Sequence, residues 1–196
     1  MKLYDIATIR TGLVLSRKKA KLHADIKYYY KQITLKSFSD SITLQTQFFD
    51  DFISIEEIDE TYTSRLGDII VRLREPNTAV YINEKSAGLV IPSLFAIVRV
   101  NDKIVDNTFL AYYLNSMEVR KVLERELKGT TISMIKTKDL GNLVLNLPPV
   151  DVQKNTVKLM VLSEKEISLL DKLKEKKQQY AQAALNTIIK RNKEKN

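Results

Sequence analysis

Residues 151–190 read DVQKNTVKLMVLSEKEISLLDKLKEKKQQYAQAALNTIIK, and this stretch decides the architecture of the chain. No Gly or Pro occurs after Pro149, and most positions hold Lys, Glu, Leu, Gln or Ala, which are good helix formers. The stretch therefore predicts one helix of roughly 40 residues, on the order of 60 Å long at about 1.5 Å per residue. A helix of that length is too long for a domain of this size to cover.

The apolar residues of this helix recur mostly at spacings of three, four or seven, a narrow stripe typical of packing against one partner helix. Charged residues such as Lys165, Lys172 and Glu175 fill the rest of the surface. We predict an αα-hairpin or coiled-coil partner, the alternative being a solvated tail that frays beyond about Leu173. The predicted dimerisation residues are Val157, Met160, Ile167, Leu170, Leu173, Tyr180, Ala184 and Ile188.

Length and composition limit the class of protein. A chain of 196 residues fits one full domain plus an appendage, and 44% hydrophobic residues can build a core. The chain has no run of eighteen apolar residues, and its Met1-Lys2-Leu3 start lacks the apolar region of a signal peptide. We therefore expect neither membrane insertion nor export. The absence of Cys fits a cytoplasmic protein and excludes thiolate metal sites and thiol nucleophiles.

The net charge of +8 is unevenly distributed along the chain. Residues 1–36 hold nine bases and two acids, whereas residues 37–69 hold one base and eight acids. From residue 151 onward there are eleven bases and six acids. A basic face beside an acidic one indicates an oriented polyanion partner such as nucleic acid. A basic cytosolic protein without such a partner remains the alternative on charge alone.

The densest basic run is Ser16-Arg17-Lys18-Lys19-Ala20-Lys21, followed by Tyr28-Tyr29-Tyr30. Such a run usually marks a solvated loop, and it is also a candidate for contact with phosphates. A strand with three adjacent tyrosines directs one or two rings to its open face. The alternative places Tyr29 in the core, with its neighbours shielding an edge. We select Arg17, Lys18, Lys19, Lys21 and Tyr28 as DNA-binding candidates.

The middle of the chain combines an acidic block with further strands. Residues 50–60 suggest a loop with a short helical turn, and the β-branched run at residues 69–74 predicts a strand. Arg72 and Arg74 lie on one side of that strand, an arrangement suited to bidentate contact with phosphate or guanine. Pairing with the acidic block is the alternative. Residues 79–82, 88–91 and 94–100 predict more strands of an antiparallel sheet.

A period near 3.6 predicts an amphipathic helix over residues 108–126, ended by Lys128-Gly129. After it, Gly129 and small hydroxyl residues allow close backbone approach to a ligand, and two lysines follow. The DNA-binding candidates here are Lys128, Thr130, Thr131, Lys136 and Lys138. Residues 143–147 predict a last strand, which Pro148-Pro149 breaks before the long helix.

Catalytic patterns are missing from the sequence. The single His, His23, excludes multi-His metal sites, and neither G-x-x-x-x-G-K-[ST] nor G-x-G-x-x-G occurs. Asn146-Leu147-Pro148-Pro149 departs from the Asn-Pro-Pro-aromatic motif of amino-methyltransferases, because a Leu intervenes and Val150 replaces the aromatic residue. We therefore expect no catalytic residue, no metal and no cofactor in this chain.

The order of parts resembles the specificity subunits of type I restriction-modification systems over nearly the whole chain. The similarity rests on residues 3–12, 66–70, 109–116, 129–140 and 143–150, with Gln153. It implies an α+β fold: a target recognition domain at 1–149 with a mainly antiparallel sheet and packed helices, then a long conserved helix at 150–196 that forms an antiparallel coiled coil. Val152 departs from the family pattern, which commonly has Glu before the Gln.

The resemblance also implies a non-catalytic subunit that reads double-stranded DNA for separate methyltransferase and restriction subunits. The usual subunit carries two recognition domains and two helices, whereas this sequence carries one of each. A second copy packed antiparallel would recreate the two-domain arrangement, so we expect a homodimer that reads two halves of an interrupted target. The competing hypotheses are a helical adaptor that never touches DNA and the DNA-recognition part of a split methyltransferase.

Overall fold

The computed structural model of the chain describes residues 1–39, 41–74, 78–101, 103–127 and 134–193, and these residues form antiparallel strands and five α-helices. This confirms the predicted α+β class with a long C-terminal helix. The chain divides into two compact units, Met1–Lys154 and Asn155–Asn196. The functional boundary between residues 149 and 150, and the coiled coil, stay predictions.

The main sheet has four strands in the order β1-β6-β4-β5, each antiparallel to its neighbour. A second sheet consists of β2 and β3, also antiparallel. The strands are β1 (Ala7–Thr11), β2 (Tyr28–Gln32), β3 (Asp50–Ser54), β4 (Ile69–Arg72), β5 (Ala79–Tyr81) and β6 (Phe95–Val100). The helices are α1 (Leu3–Ile6), α2 (Asn107–Leu114), α3 (Met117–Leu127), α4 (Thr137–Gly141) and α5 (Val150–Lys193).

Both faces of the main sheet are buried, which explains the unbroken apolar run of β4. Ile69 and Val71 face a core cluster that includes residues of α1 to α4. Ile70 faces a second cluster on the other side, where the rings of Phe38 and Phe95 stack with centroids 5.0 Å apart. A strand covered on two faces needs apolar side chains at successive positions rather than at alternate ones.

The predicted helix at 108–126 is two helices, and the break follows Leu114, where the Asn115 side chain binds a strand. Its side-chain oxygen accepts the Ala79 N–H at 2.8 Å, and its amide nitrogen donates to the Ala79 carbonyl at 2.7 Å. The Ser116 hydroxyl then accepts the Val119 N–H at 3.3 Å, an N-cap contact for α3. The break therefore ties the helical layer to the edge strand β5.

Three other expectations from the sequence are wrong. The acidic block begins as strand β3, because Phe52 and Ser54 alternate into the interior. Residues 143–147 form only a single bridge between Lys2 and Val144, although Leu143 and Leu145 are buried on either side. The expected strand at 88–91 is likewise reduced to single bridges at Val90. The alternation of apolar residues predicted correctly which side chains are buried. It did not predict whether a neighbouring segment is long enough to pair with them as a strand.

Helix α5 spans 44 residues, which confirms the predicted long helix. In the unit from Asn155 onward, Val157 is half-buried, whereas the other seven predicted dimerisation residues are exposed. The exposed fraction is 57% for Ile167 and Leu170 and 78% for Tyr180. The apolar stripe is thus uncovered in the single chain.

Candidate nucleic-acid interface

The basic run and the tyrosine strand belong to one layer. Ala20 N–H donates to the Ile53 carbonyl at 3.1 Å, and Ile55 N–H donates to the Lys18 carbonyl at 3.0 Å. Residues 18–20 therefore lie along β3, on the side away from β2, and we call residues 17–21, 27–32 and 50–54 together the ribbon. Lys19 and Tyr28 both pair with Ser54, so they share a face and lie about 10 Å apart, two strand spacings.

Only some of the basic side chains of the ribbon form ion pairs with the acidic block. Lys18 pairs with Glu56, and Lys31 pairs with Asp51 at 3.0 Å. Arg17, Lys19, Lys21 and Lys27 are exposed, and none of them forms an ion pair within the described ranges. Exposed cations without counter-ions suit contact with a polyanion.

The three tyrosines differ in environment. Tyr30 lies opposite buried Phe52, and its hydroxyl accepts the Ile58 N–H at 3.0 Å. Tyr28 is 39% exposed and stacks on Tyr30 with ring centroids 6.3 Å apart. Tyr29 is 74% exposed, so the alternative that placed it in the core is wrong. Side chains alternate along a strand, and the pairing of Tyr30 with Phe52 sends Tyr29 to the opposite face.

Sequence reasoning missed Lys27, Tyr29 and Lys31 as candidates for the interface. All three are exposed and alternate along the strand, and Lys27 N–H continues the pairing with a 3.0 Å bond to the Ser54 carbonyl. The signal was present in the sequence as Lys-x-Tyr-x-Lys. This pattern could be interpreted only once the structure showed that Phe52 lies on the buried face of the two-stranded sheet.

Arg72 and Arg74 lie at the end of β4. Arg72 is half-buried, whereas Arg74 is exposed and bridges to Met134. Ile135 N–H donates to the Leu73 carbonyl at 2.8 Å, so the segment that leads to exposed Lys136 starts beside this strand end. The structure thus brings the predicted arginines to the segment that holds two of the predicted lysines, since exposed Lys138 follows in α4.

The remaining candidates, Lys128, Thr130 and Thr131, lie outside the described residues, and their assignment stays a prediction. The alternative role of Arg72 and Arg74 was to form ion pairs with the acidic block. Fewer acids of that block are available for this than the sequence suggested. Three acids of that block, and Asp68 beyond it, already pair elsewhere in the described part of the chain: Asp51 with Lys31, Glu56 with Lys18, Glu60 with Arg65 and Asp68 with Arg99.

The described ranges hold no group of three or more His, Cys, Asp or Glu residues able to bind a metal ion. A cleft of about 460 Å³ has Glu118 and Asp139 among its lining residues, together with Asn142 and Asn146. Asp139 also accepts the Lys136 N–H at 3.3 Å, where it caps α4. None of the described helices is long and apolar enough to cross a membrane. The described surface is thus equipped for binding through cations and aromatic rings.

These features define an α+β domain with a basic ribbon and a long C-terminal helix. Residues 1–186 match the family described as "Type I restriction modification DNA specificity domain". The match spans nearly the whole chain, and the chain belongs to this family. The resemblance found in the sequence is thereby confirmed.

Solved structures show the same fold. The chain is similar to the HsdS subunit from Thermoanaerobacter tengcongensis, with a TM-score of 0.66 and 14% identity over 88% of this chain and 43% of that chain. A second similar structure is described as "Structural basis underlying complex assembly and conformational transition of the type I R-M system". Its TM-score is 0.57, with 20% identity over 87% of this chain and 39% of that one. The chain thus spans about two-fifths of the length of both relatives.

Proposed function

We propose that this chain is a sequence-specific DNA recognition subunit of a type I restriction-modification system. It directs separate methyltransferase and restriction subunits to a bipartite target and carries out no chemistry itself. The observation that carries the proposal is the family match over residues 1–186. The ribbon supports it, because unpaired cations beside exposed tyrosines are the groups that contact phosphates and bases. A cytoplasmic location, where the chain meets DNA, is part of the proposal.

The test is binding of the full chain to duplex DNA over a range of salt concentrations. Each phosphate contact releases counter-ions, so the logarithm of the binding constant falls with the logarithm of salt by about 0.9 per contact. An adaptor that does not contact DNA gives no such binding. Failure of the full chain to bind duplex DNA, alone or with its methyltransferase subunit, would overturn the proposal.

Matched variants locate the contact. Replacing Lys19, Lys21 and Lys27 by Ala removes three exposed ribbon cations and is expected to reduce the salt slope by about 3. Replacing Lys172, Lys174 and Lys177 of α5 removes the same charge from an exposed helix and is expected to leave the slope unchanged. Equal changes in the salt slope for the two triple variants would indicate non-specific attraction of DNA by the net charge of the chain. Binding of S-adenosylmethionine to the isolated chain would instead favour the split methyltransferase.

Arg72→Ala is expected to weaken binding to the specific target by about 1–3 kcal/mol and to relax one base position, if the guanidinium reads guanine. Specificity is measured by selection from a random-sequence duplex library, with Arg74→Ala as the neighbouring comparison. Because Arg72 is half-buried, thermal unfolding must show that the variant is folded. Equal loss on all sequences would identify Arg72 as a phosphate contact.

The exposed stripe of α5 supports a homodimer as the functional form. On the predicted stripe, Met160, Ile167, Leu170, Leu173 and Tyr180 follow one another at spacings of seven, three, three and seven, and all but Met160 are more than half exposed. Sustained spacings of this kind are those of a coiled-coil seam. We propose that a second copy of the helix packs antiparallel along it, so that helix length sets the distance between two half-sites.

Ile167→Asp or Leu170→Asp is expected to convert this dimer to monomer at micromolar concentration. In a twofold dimer each substitution places an unpaired charge in the seam of both copies, and an uncompensated buried charge is strongly destabilising. Light scattering measures the mass, and Gln178→Asp introduces the same charge at an exposed polar position as the control. Dimers that survive both seam substitutions would refute the seam, and a monomeric wild-type chain would refute the homodimer.

A further inference from the structure

One face of the ribbon presents a tyrosine between two lysines. Lys27, Tyr29 and Lys31 alternate with Tyr28, Tyr30 and Gln32, so they point to the face opposite buried Phe52. Within the described ranges the ring of Tyr29 makes no stacking contact and its hydroxyl no hydrogen bond. Burial of an aromatic side chain stabilises a fold, yet this one is 74% exposed and adds nothing to the core.

The spacing of this face matches duplex DNA. Four residues of extended strand separate the Lys27 and Lys31 backbones by about 13 Å. The major groove of B-DNA is about 12 Å wide and admits a two-stranded ribbon. Tyr29 lies midway between the lysines, so the lysines can contact the two phosphate walls while the ring points at the base edges.

The charges on this face are available to a polyanion. Lys27 has no ion pair in the described part of the chain, and the pair between Lys31 and Asp51 is solvent-exposed, with side chains 60% and 83% accessible. Exposed pairs contribute little to stability, so a phosphate can replace Asp51 as the partner of Lys31. Asp51 itself, on the same face, opposes phosphate binding.

We propose that Tyr29 is a base-reading residue, inserted by the ribbon into the major groove with Lys27 and Lys31 on the flanking phosphates. The ring provides an apolar surface for a thymine methyl group, and the hydroxyl is a donor or acceptor for a base edge. Asp51 holds Lys31 when DNA is absent and lowers the affinity of the free protein for any duplex. This inference rests on the proposed function and names the element that performs it.

The experiment uses the full chain and two labelled duplexes, one carrying the sequence that the wild-type chain enriches from a random library and one with that sequence scrambled. Tyr29→Ala is expected to weaken binding to the enriched duplex at least about fivefold and to leave the scrambled duplex unaffected. Lys27→Ala and Lys31→Ala should weaken both and reduce the salt slope by about 1 each. Asp51→Asn should strengthen both.

Met117→Ala is the matched control, because it removes an apolar side chain that is 73% exposed outside the ribbon. Circular dichroism and thermal unfolding establish that each variant is folded. If Tyr29→Ala binds the enriched duplex within twofold of wild type, the inference is overturned while the proposed function stands. If it weakens both duplexes equally, Tyr29 does not read bases and the inference also fails. A wild-type chain that enriches no sequence, alone or with its methyltransferase subunit, overturns the proposed function itself.

Discussion

Replacing Asp68 by Ala is expected to lower the free energy of unfolding by about 3–5 kcal/mol, the effect of breaking a buried ion pair. Only 4% of Asp68 is exposed. Its carboxylate accepts the Arg99 Nε at 2.9 Å and Nη2 at 3.1 Å, and also the Arg65 N–H at 2.8 Å. Arg99 also donates to the Thr63 carbonyl at 2.7 Å. The substitution leaves the Arg99 guanidinium, whose side chain is only 19% exposed, without its anion.

Urea unfolding followed by circular dichroism measures this loss. The control is Asp51→Ala, which removes the same side chain from the exposed pair with Lys31 and should change the free energy by at most about 1 kcal/mol. Combining Asp68→Ala with Arg99→Met should recover part of the loss, because no buried charge is then left unpaired. Similar values for the Asp68 and Asp51 variants would contradict the buried role of Asp68.

This network explains why Leu66-Gly67-Asp68 stood out in the sequence. Gly67 has a φ of +90°, a conformation that residues with a Cβ rarely adopt. Its N–H donates to the Ile82 carbonyl, and its own carbonyl accepts the side-chain amide of Asn107. The turn thus places Asp68 directly before β4, beside Arg99 of the neighbouring strand β6. The motif therefore has a structural role in the fold.

The sequence predicted most accurately those parts of the structure that local interactions determine. Helix α5 follows from side-chain propensity and the absence of Gly and Pro, and its predicted and observed extents agree closely. The helix at 108–126 failed at Asn115 because the competing partner, the Ala79 backbone, lies 36 residues away in the chain. The spacing of apolar residues along the helix gives no information about such a distant partner.

The candidate interface shows the same limit. Lys19 and Tyr28 were both selected from the sequence, but only pairing with β3 places them on one face, and β3 was mistaken for a loop. The choice between Tyr28 and Tyr29 depends on which of them shares a face with Phe52. Residue types therefore indicated the chemistry of the surface, whereas strand register determined which side chains face solvent.

The second large effect is expected at Gln153, which is fully buried in the first turns of α5. Its side-chain oxygen accepts the Asp106 N–H at 2.8 Å. Its amide nitrogen donates to the carbonyls of Ile104 at 3.0 Å and Pro148 at 2.8 Å. One side chain therefore satisfies three backbone groups from two separate segments, and no apolar residue of similar size can do so.

Gln153→Ala is expected to lower the free energy of unfolding of the Met1–Lys154 unit by about 3 kcal/mol or more, since each unsatisfied buried group costs about 1–3 kcal/mol. The loss extends to α2, because Asp106 caps that helix by accepting the Phe109 N–H at 2.9 Å. Gln179→Ala is the matched control, an exposed glutamine of the same helix whose loss should stay within about 0.5 kcal/mol. Urea unfolding of both variants measures the difference. Equal stabilities would mean that water replaces the amide at all three backbone groups, and Gln153 would then have no structural role.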